Sequence, residues 1–108
     1  MTAEHVLVHV TTDSEESAHG LADSAVRARL AACAQIEGPI TSVYWWEGEV
    51  QQGQEWRVSC KTTAARYPAL ESHLLDHHPY DTPEIIATPV TGGSAAYLAW
   101  VTEEVSSS

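Results

Sequence analysis

His73, Asp76, His77 and His78 place three imidazoles and a carboxylate within six residues. Imidazole nitrogens suit Cu(II), Zn and Ni. On a helix, His73 and His77 stand at i and i+4, so their rings share a face and can chelate a divalent ion. Only the neutral ring binds, and such a site weakens below about pH 6.5. The competing reading is structural, because His77 lies beside the Tyr67, Leu70 and Leu74 stripe of the same segment. Cys33 is a soft ligand or reactive thiol if exposed, and a small buried hydrophobe if not. Lys61 and Glu84 end strands that the expected fold brings near one another. They read as a structural ion pair or as the charged lining of an intersubunit ligand cleft. Tyr44, Trp46, Tyr80 and Trp100 read as interface packing or as a cage in that cleft. There is no Gly-rich phosphate loop, HExxH or nucleophile elbow, so no enzymatic activity is expected.

The stretch His77-His78-Pro79-Tyr80-Asp81-Thr82-Pro83-Glu84 sets where these groups sit. Each proline fixes its own φ and pushes the preceding residue out of the helical region. A helix beginning near Arg66 must stop there, and Glu84 to Val90 follows as an extended segment, with Pro89 placing it at an edge or a bulge. Upstream, Glu4 to Thr12 alternates with a period of two and reads as a strand. Thr12 or Asp13 can cap the helix that follows, with Glu15 and Glu16 in its first turn. Its apolar face carries Ala18, Leu21, Ala22, Ala25, Val26 and Leu30. From Ala32 the chain is extended, bends at Gly38-Pro39 and resumes through Trp46. Glu47-Gly48-Glu49 and Gln52-Gly53 are turn signals, and Glu55 to Thr63 alternates again. Ser94 can cap a last helix carrying Tyr97, Leu98, Trp100 and Val101.

The order β-α-β-β-α-β plus a C-terminal helix is an α+β, ferredoxin-like arrangement with a long β2-β3 hairpin. One sheet face is then left open. Its expected members are His9, Thr11, Arg57, Ser59, Lys61 and Thr88, with Leu7, Ile86 and Val90 among them. The hairpin's Tyr44-Trp45-Trp46 end needs burial, and another subunit is the natural cover.

A chain of 108 residues fits a single domain, residues 1–108, with Ser106 to Ser108 expected to fray. Fifteen acids against five bases give a formal charge of −10, which argues against nucleic acid and anionic membrane as partners. No apolar run suffices for a membrane span, and the start lacks the basic region of a signal peptide. Cytoplasmic placement is therefore expected. Cys33 and Cys60 have no CxxC spacing, so no disulfide scaffold is expected.

Five stretches together resemble one family: Arg29-Leu30-Ala31-Ala32-Cys33-Ala34, Ser42-Val43-Tyr44-Trp45-Trp46-Glu47-Gly48-Glu49, Lys61-Thr62-Thr63, His78-Pro79-Tyr80-Asp81-Thr82-Pro83-Glu84-Ile85 and Tyr97-Leu98-Ala99-Trp100. The chain is similar to the CutA divalent-cation-tolerance proteins over nearly its whole length. The resemblance implies a PII-like homotrimer in which each hairpin lies along a neighbour's sheet edge. It also implies binding of copper or another divalent cation, with no organic cofactor, in metal-ion tolerance. Cys33 is retained, and His77-His78 stand at the family's histidine-bearing helix end. Some relatives carry a cysteine in the first strand where Val10 stands here, so a thiolate site there is not expected. The alternative is a PII-like sensor or scaffold that takes a small ligand or a partner protein in its intersubunit clefts.

Overall fold

In a computed structural model, which describes residues 3–106, the elements run β1 (His5–Thr12), α1 (Glu15–Arg27), β2 (Cys33–Trp46), β3 (Glu49–Thr63), α2 (Tyr67–His77), β4 (Ile85–Pro89) and α3 (Ala95–Ser106). The four strands form one antiparallel sheet in the order β2-β3-β1-β4. This is the expected ferredoxin-like topology. Val8, Val10, Val58 and Cys60 turn one sheet face onto Ala18, Leu21, Ala22 and Ala25 of α1 and Leu70 and Leu74 of α2. Removing these apolar side chains from water holds the two layers together.

Several local readings are corrected. The cap of α1 is neither Thr12 nor Asp13 but Ser14, whose hydroxyl accepts from the Ser17 N–H at 3.0 Å. Thr12 is fully buried as the last residue of β1, paired with Trp56. Leu30 lies beyond α1, because Arg29 turns left-handed with φ 61° and ends the helix. Gln52-Gly53 is no turn. It continues β3, with Gly53 opposite Ser42, and the reversal occurs at Glu47 and Gly48, both at positive φ. Glycine is the residue that adopts such a backbone freely.

β2 and β3 are unusually long at 14 and 15 residues. A register shift between Glu37 and Ile40 absorbs the Gly38-Pro39 bend. Beyond the point where Thr12 meets Trp56, the hairpin continues alone as an arm, so the molecule measures 44 × 27 × 21 Å. On the open sheet face, Thr11 is buried at 4% exposure where an accessible polar residue was expected. Ser106 is the last residue of α3, while Ser107 and Ser108 lie outside the described residues.

Candidate metal-binding site

α2 begins at Tyr67 with Pro68 in its first turn and presents Leu70 and Leu74 to the core. The face beside Leu74 then carries His73 and His77. Their rings meet, but they stack, with centroids 4.1 Å apart and planes 23° from parallel. Each ring is held by one nitrogen. His77 Nδ1–H donates to the His73 carbonyl at 2.8 Å, which leaves Nε2 with its lone pair at an exposed position. His73 Nε2 lies 2.9 Å from Ser24 Oγ on α1, and the Ser24 hydroxyl donates to the Leu21 carbonyl at 3.2 Å. With that proton spent, His73 Nε2–H is the donor and Nδ1 keeps its lone pair. Burial, then the neighbouring His77, hold His73 below the ordinary imidazole range, and Asp76 opposes them.

Lone pairs lie in the ring planes, and near-parallel stacked planes do not converge on a common point. An ion held at about 2.0–2.1 Å from both nitrogens requires one ring to turn. Rotating His77 gives up its bond to the His73 carbonyl, a net cost of about 1 kcal/mol.

His78 is not part of this pair. Its Nε2–H donates to the Thr11 carbonyl at 2.7 Å, and its Nδ1 accepts the Tyr80 N–H at 3.0 Å. A carbonyl can only accept and an amide can only donate, so the ring is neutral with its proton on Nε2. Neither nitrogen has a lone pair for a metal, and the expected four-ligand cluster shrinks to His73, His77 and the exposed Asp76. Among the described residues no three His, Cys, Asp or Glu side chains gather as a metal cluster. Cys33 is half-buried on β2 opposite Lys61, on the sheet face away from α2.

The expected cleft residues are divided between the two ends of the sheet. At the Thr12 end, the Tyr80 hydroxyl donates to Glu55 Oε2 at 3.1 Å, and Tyr44 stands close on the arm. Burial, then Glu55, push the Tyr80 phenol well above its ordinary range. Glu84 directly precedes Ile85, which pairs with Val10. At the other end, Lys61 pairs with Leu7 and hydrogen-bonds the Gln35 side chain, while Trp100 packs on Tyr97 with centroids 5.6 Å apart. Lys61 and Glu84 form no ion pair. Glu84 lies just outside the ladder; continuing the register puts it beside Thr11, four positions of β1 from Leu7, the partner of Lys61, a distance of about 13 Å along the strand. Sequence reasoning missed Ser24, Thr11 and Glu55, whose bonds to His73, His78 and Tyr80 span 49, 67 and 25 residues. No local pattern signals such partners.

A family model described as CutA1 divalent ion tolerance protein matches residues 6–104. The chain belongs to the CutA1 family. The divalent-cation tolerance protein CutA of Thermus thermophilus is 42% identical over 97 residues, which cover 90% of this chain and 94% of that protein. A solved structure from the same organism superposes with a TM-score of 0.90 at 41% identity, covering 93% of this chain and 97% of that one. CutA1 from Shewanella sp. SIB1 superposes with a TM-score of 0.95 at 36% identity, covering 99% and 100%. Rice chloroplastic CutA 1 is 42% identical over 100 residues, 93% of this chain. The chain spans about half the length of the two plant relatives, 56% and 55%. CutA1 family members are named for the chloroplast and for the periplasm, so membership does not carry the expected cytoplasmic placement. No helix among the described residues is long and apolar enough to cross a membrane.

Proposed function

We propose that this CutA1-family chain serves divalent-cation tolerance by binding a divalent cation, copper foremost, at the His73–His77 pair of α2. The observation that carries the tolerance role is the family match over residues 6–104. What supports the pair is its chemistry: two neighbouring imidazoles, each with one nitrogen free, one of them exposed, beside the Asp76 carboxylate. Binding turns the His77 ring out of the stack, and solvent or Asp76 completes the coordination. His78 keeps its structural role. Cys33, on the other face of the sheet, acts at most as a separate soft site.

The unit we propose is a homotrimer. A neighbour that packs across the open sheet face would unite Tyr44, Trp46, Tyr80 and Glu84 of one chain with Lys61 and Trp100 of the next. The full set of expected cleft residues would then exist only in the assembly.

Cu(II) titration followed by calorimetry and electron paramagnetic resonance tests the ligand assignment. The His73→Ala/His77→Ala variant is expected to lose affinity by about a hundredfold and to lose nitrogen hyperfine structure. Unchanged stoichiometry and spectrum in that variant would remove the pair from the mechanism. The His78→Ala variant serves as the control that keeps both.

A further inference from the structure

Ser24 and His73 meet across the junction of α1 and α2, 49 residues apart in the chain. The bonds there run in one direction. The Ser24 hydroxyl donates to the Leu21 carbonyl at 3.2 Å, and its oxygen takes the His73 Nε2–H at 2.9 Å. A hydroxyl has one proton to give, so the imidazole proton stands on Nε2 and the Nδ1 lone pair stays free. His73 is half-buried, and this bond reaches it from a neighbouring helix. His77 is exposed, and its ring is tied only to its own helix, Nδ1–H to the His73 carbonyl at 2.8 Å. The two stacked rings are therefore unequal. One is fixed from α1, and the other turns once it gives up a local bond.

We infer that Ser24 is the positioning residue of the histidine pair: it fixes His73 as the stationary ligand, offering Nδ1 to a divalent cation, and leaves His77 to swing its Nε2 into place. This role rests on the metal binding proposed for the pair, and it names the nitrogens that serve it. A ligating imidazole is usually oriented by a bond from its other nitrogen, and here the partner is a neutral hydroxyl rather than a carboxylate. A cation on Nδ1 makes Nε2–H a stronger donor, so the bond to Ser24 tightens when the pair is loaded. Turning His73 instead would break a bond between two helices and leave the Ser24 oxygen without its donor. The pair lies on the helix side of the sheet, beside the core layer of α1 and α2, away from the open face that a neighbouring copy would cover.

Long-range proton–nitrogen NMR spectra of the imidazole rings, recorded on the full chain at about pH 8, where an ordinary imidazole is neutral, read the tautomer directly. Metal-free protein is expected to show His73 protonated on Nε2 and bare on Nδ1. Zinc, a diamagnetic probe, is expected to shift His73 Nδ1 and His77 Nε2 while His73 keeps its Nε2 proton. In Ser24→Ala, His73 should populate both tautomers and zinc affinity should fall about tenfold. Ser24→Thr, whose hydroxyl can reach the same carbonyl one turn back, should restore both. A role confined to tying the helices together would lower the stability of Ser24→Ala and leave its tautomer and zinc affinity as they were. That result overturns the proposal, as does a proton on Nδ1 of His73 in the native chain, or Ser24→Thr binding as weakly as Ser24→Ala. Each of these leaves the metal site itself standing so long as zinc shifts both rings of the native chain. Zinc that shifts neither ring there removes the metal site, and the role of Ser24 with it.

Discussion

His78 shows how one side chain can look like a ligand and act as a brace. Its two ring nitrogens tie the end of α2 to β1 and to the backbone that follows. Replacing it with Phe leaves the Thr11 carbonyl and the Tyr80 N–H unpaired, so His78→Phe should cost about 1–3 kcal/mol of stability in urea denaturation while copper affinity stays unchanged. Thr62 presents the opposite case. It is fully buried, and its hydroxyl has no hydrogen-bond partner. Thr62→Val removes that orphan group at constant shape and should raise stability by about 1 kcal/mol. Tyr67 offers a test by pH. Its hydroxyl donates to Glu71 Oε2 at 2.7 Å, and that bond, with burial behind it, pushes the phenol up to about 12. The ordinary phenol pKa is about 10, so the fold favours the neutral ring. The stabilisation is whole below about pH 10 and drains away as pH rises towards 12. Stability of the Tyr67→Phe variant, measured across that window, should fall less steeply than that of the native chain.

Helices and strands were legible where their apolar periodicity was strong, and their joints were not. The faces of β1, α1 and α2 follow from spacing alone, because burial on one side dictates it. The α1 cap was misplaced because Thr12, Asp13 and Ser14 are all capable caps, and what excludes Thr12 is its pairing with Trp56, a long-range fact. The Lys61–Glu84 pair failed for the same kind of reason: strand order brings β3 and β4 to either side of β1, but register decides the distance. The metal cluster shrank because free nitrogens depend on partners remote in sequence. Two glycines show how local context reverses the effect of one change. Nothing lies within 4 Å of a Cβ added at Gly20, in the middle of α1. Gly20→Ala should therefore stabilise by about 0.5–1 kcal/mol. A Cβ at Gly38 would come within 2.7 Å of Trp56 Cγ, so β2 passes this ring only as bare backbone. Gly38→Ala should destabilise by about 1–3 kcal/mol, the cost of overpacking a ring that other side chains hold. Thermal unfolding of the two variants should shift in opposite directions.

At the scale of the molecule, the arm is the part that a lone chain leaves unfinished. Val43, Trp45, Trp46 and Val50 are 61%, 74%, 57% and 57% exposed, with Val43, Trp45 and Val50 on one face of the paired strands and Trp46 on the other. Each buried Trp or Val is worth about 1.5–3 kcal/mol, so covering this group supplies a large part of an association energy. Opposing it is charge, since every copy brings a formal −10. Like charges spread over a small assembly repel one another, and salt screens that repulsion over about 10 Å at 0.1 M. The two contributions predict opposite responses to two experiments. Raising ionic strength should strengthen a homotrimer, because it weakens the repulsion and leaves apolar contacts intact, whereas an assembly held by ion pairs would loosen. Trp45→Lys/Trp46→Lys should drive the protein towards monomer, because it removes apolar cover from the arm at a position that no intrachain packing requires. Sedimentation velocity at 20 mM and 500 mM salt, on both proteins, reads both effects. A native chain that stays monomeric at every salt concentration, or a double variant that still assembles, would mean that the arm is not what the subunits bury.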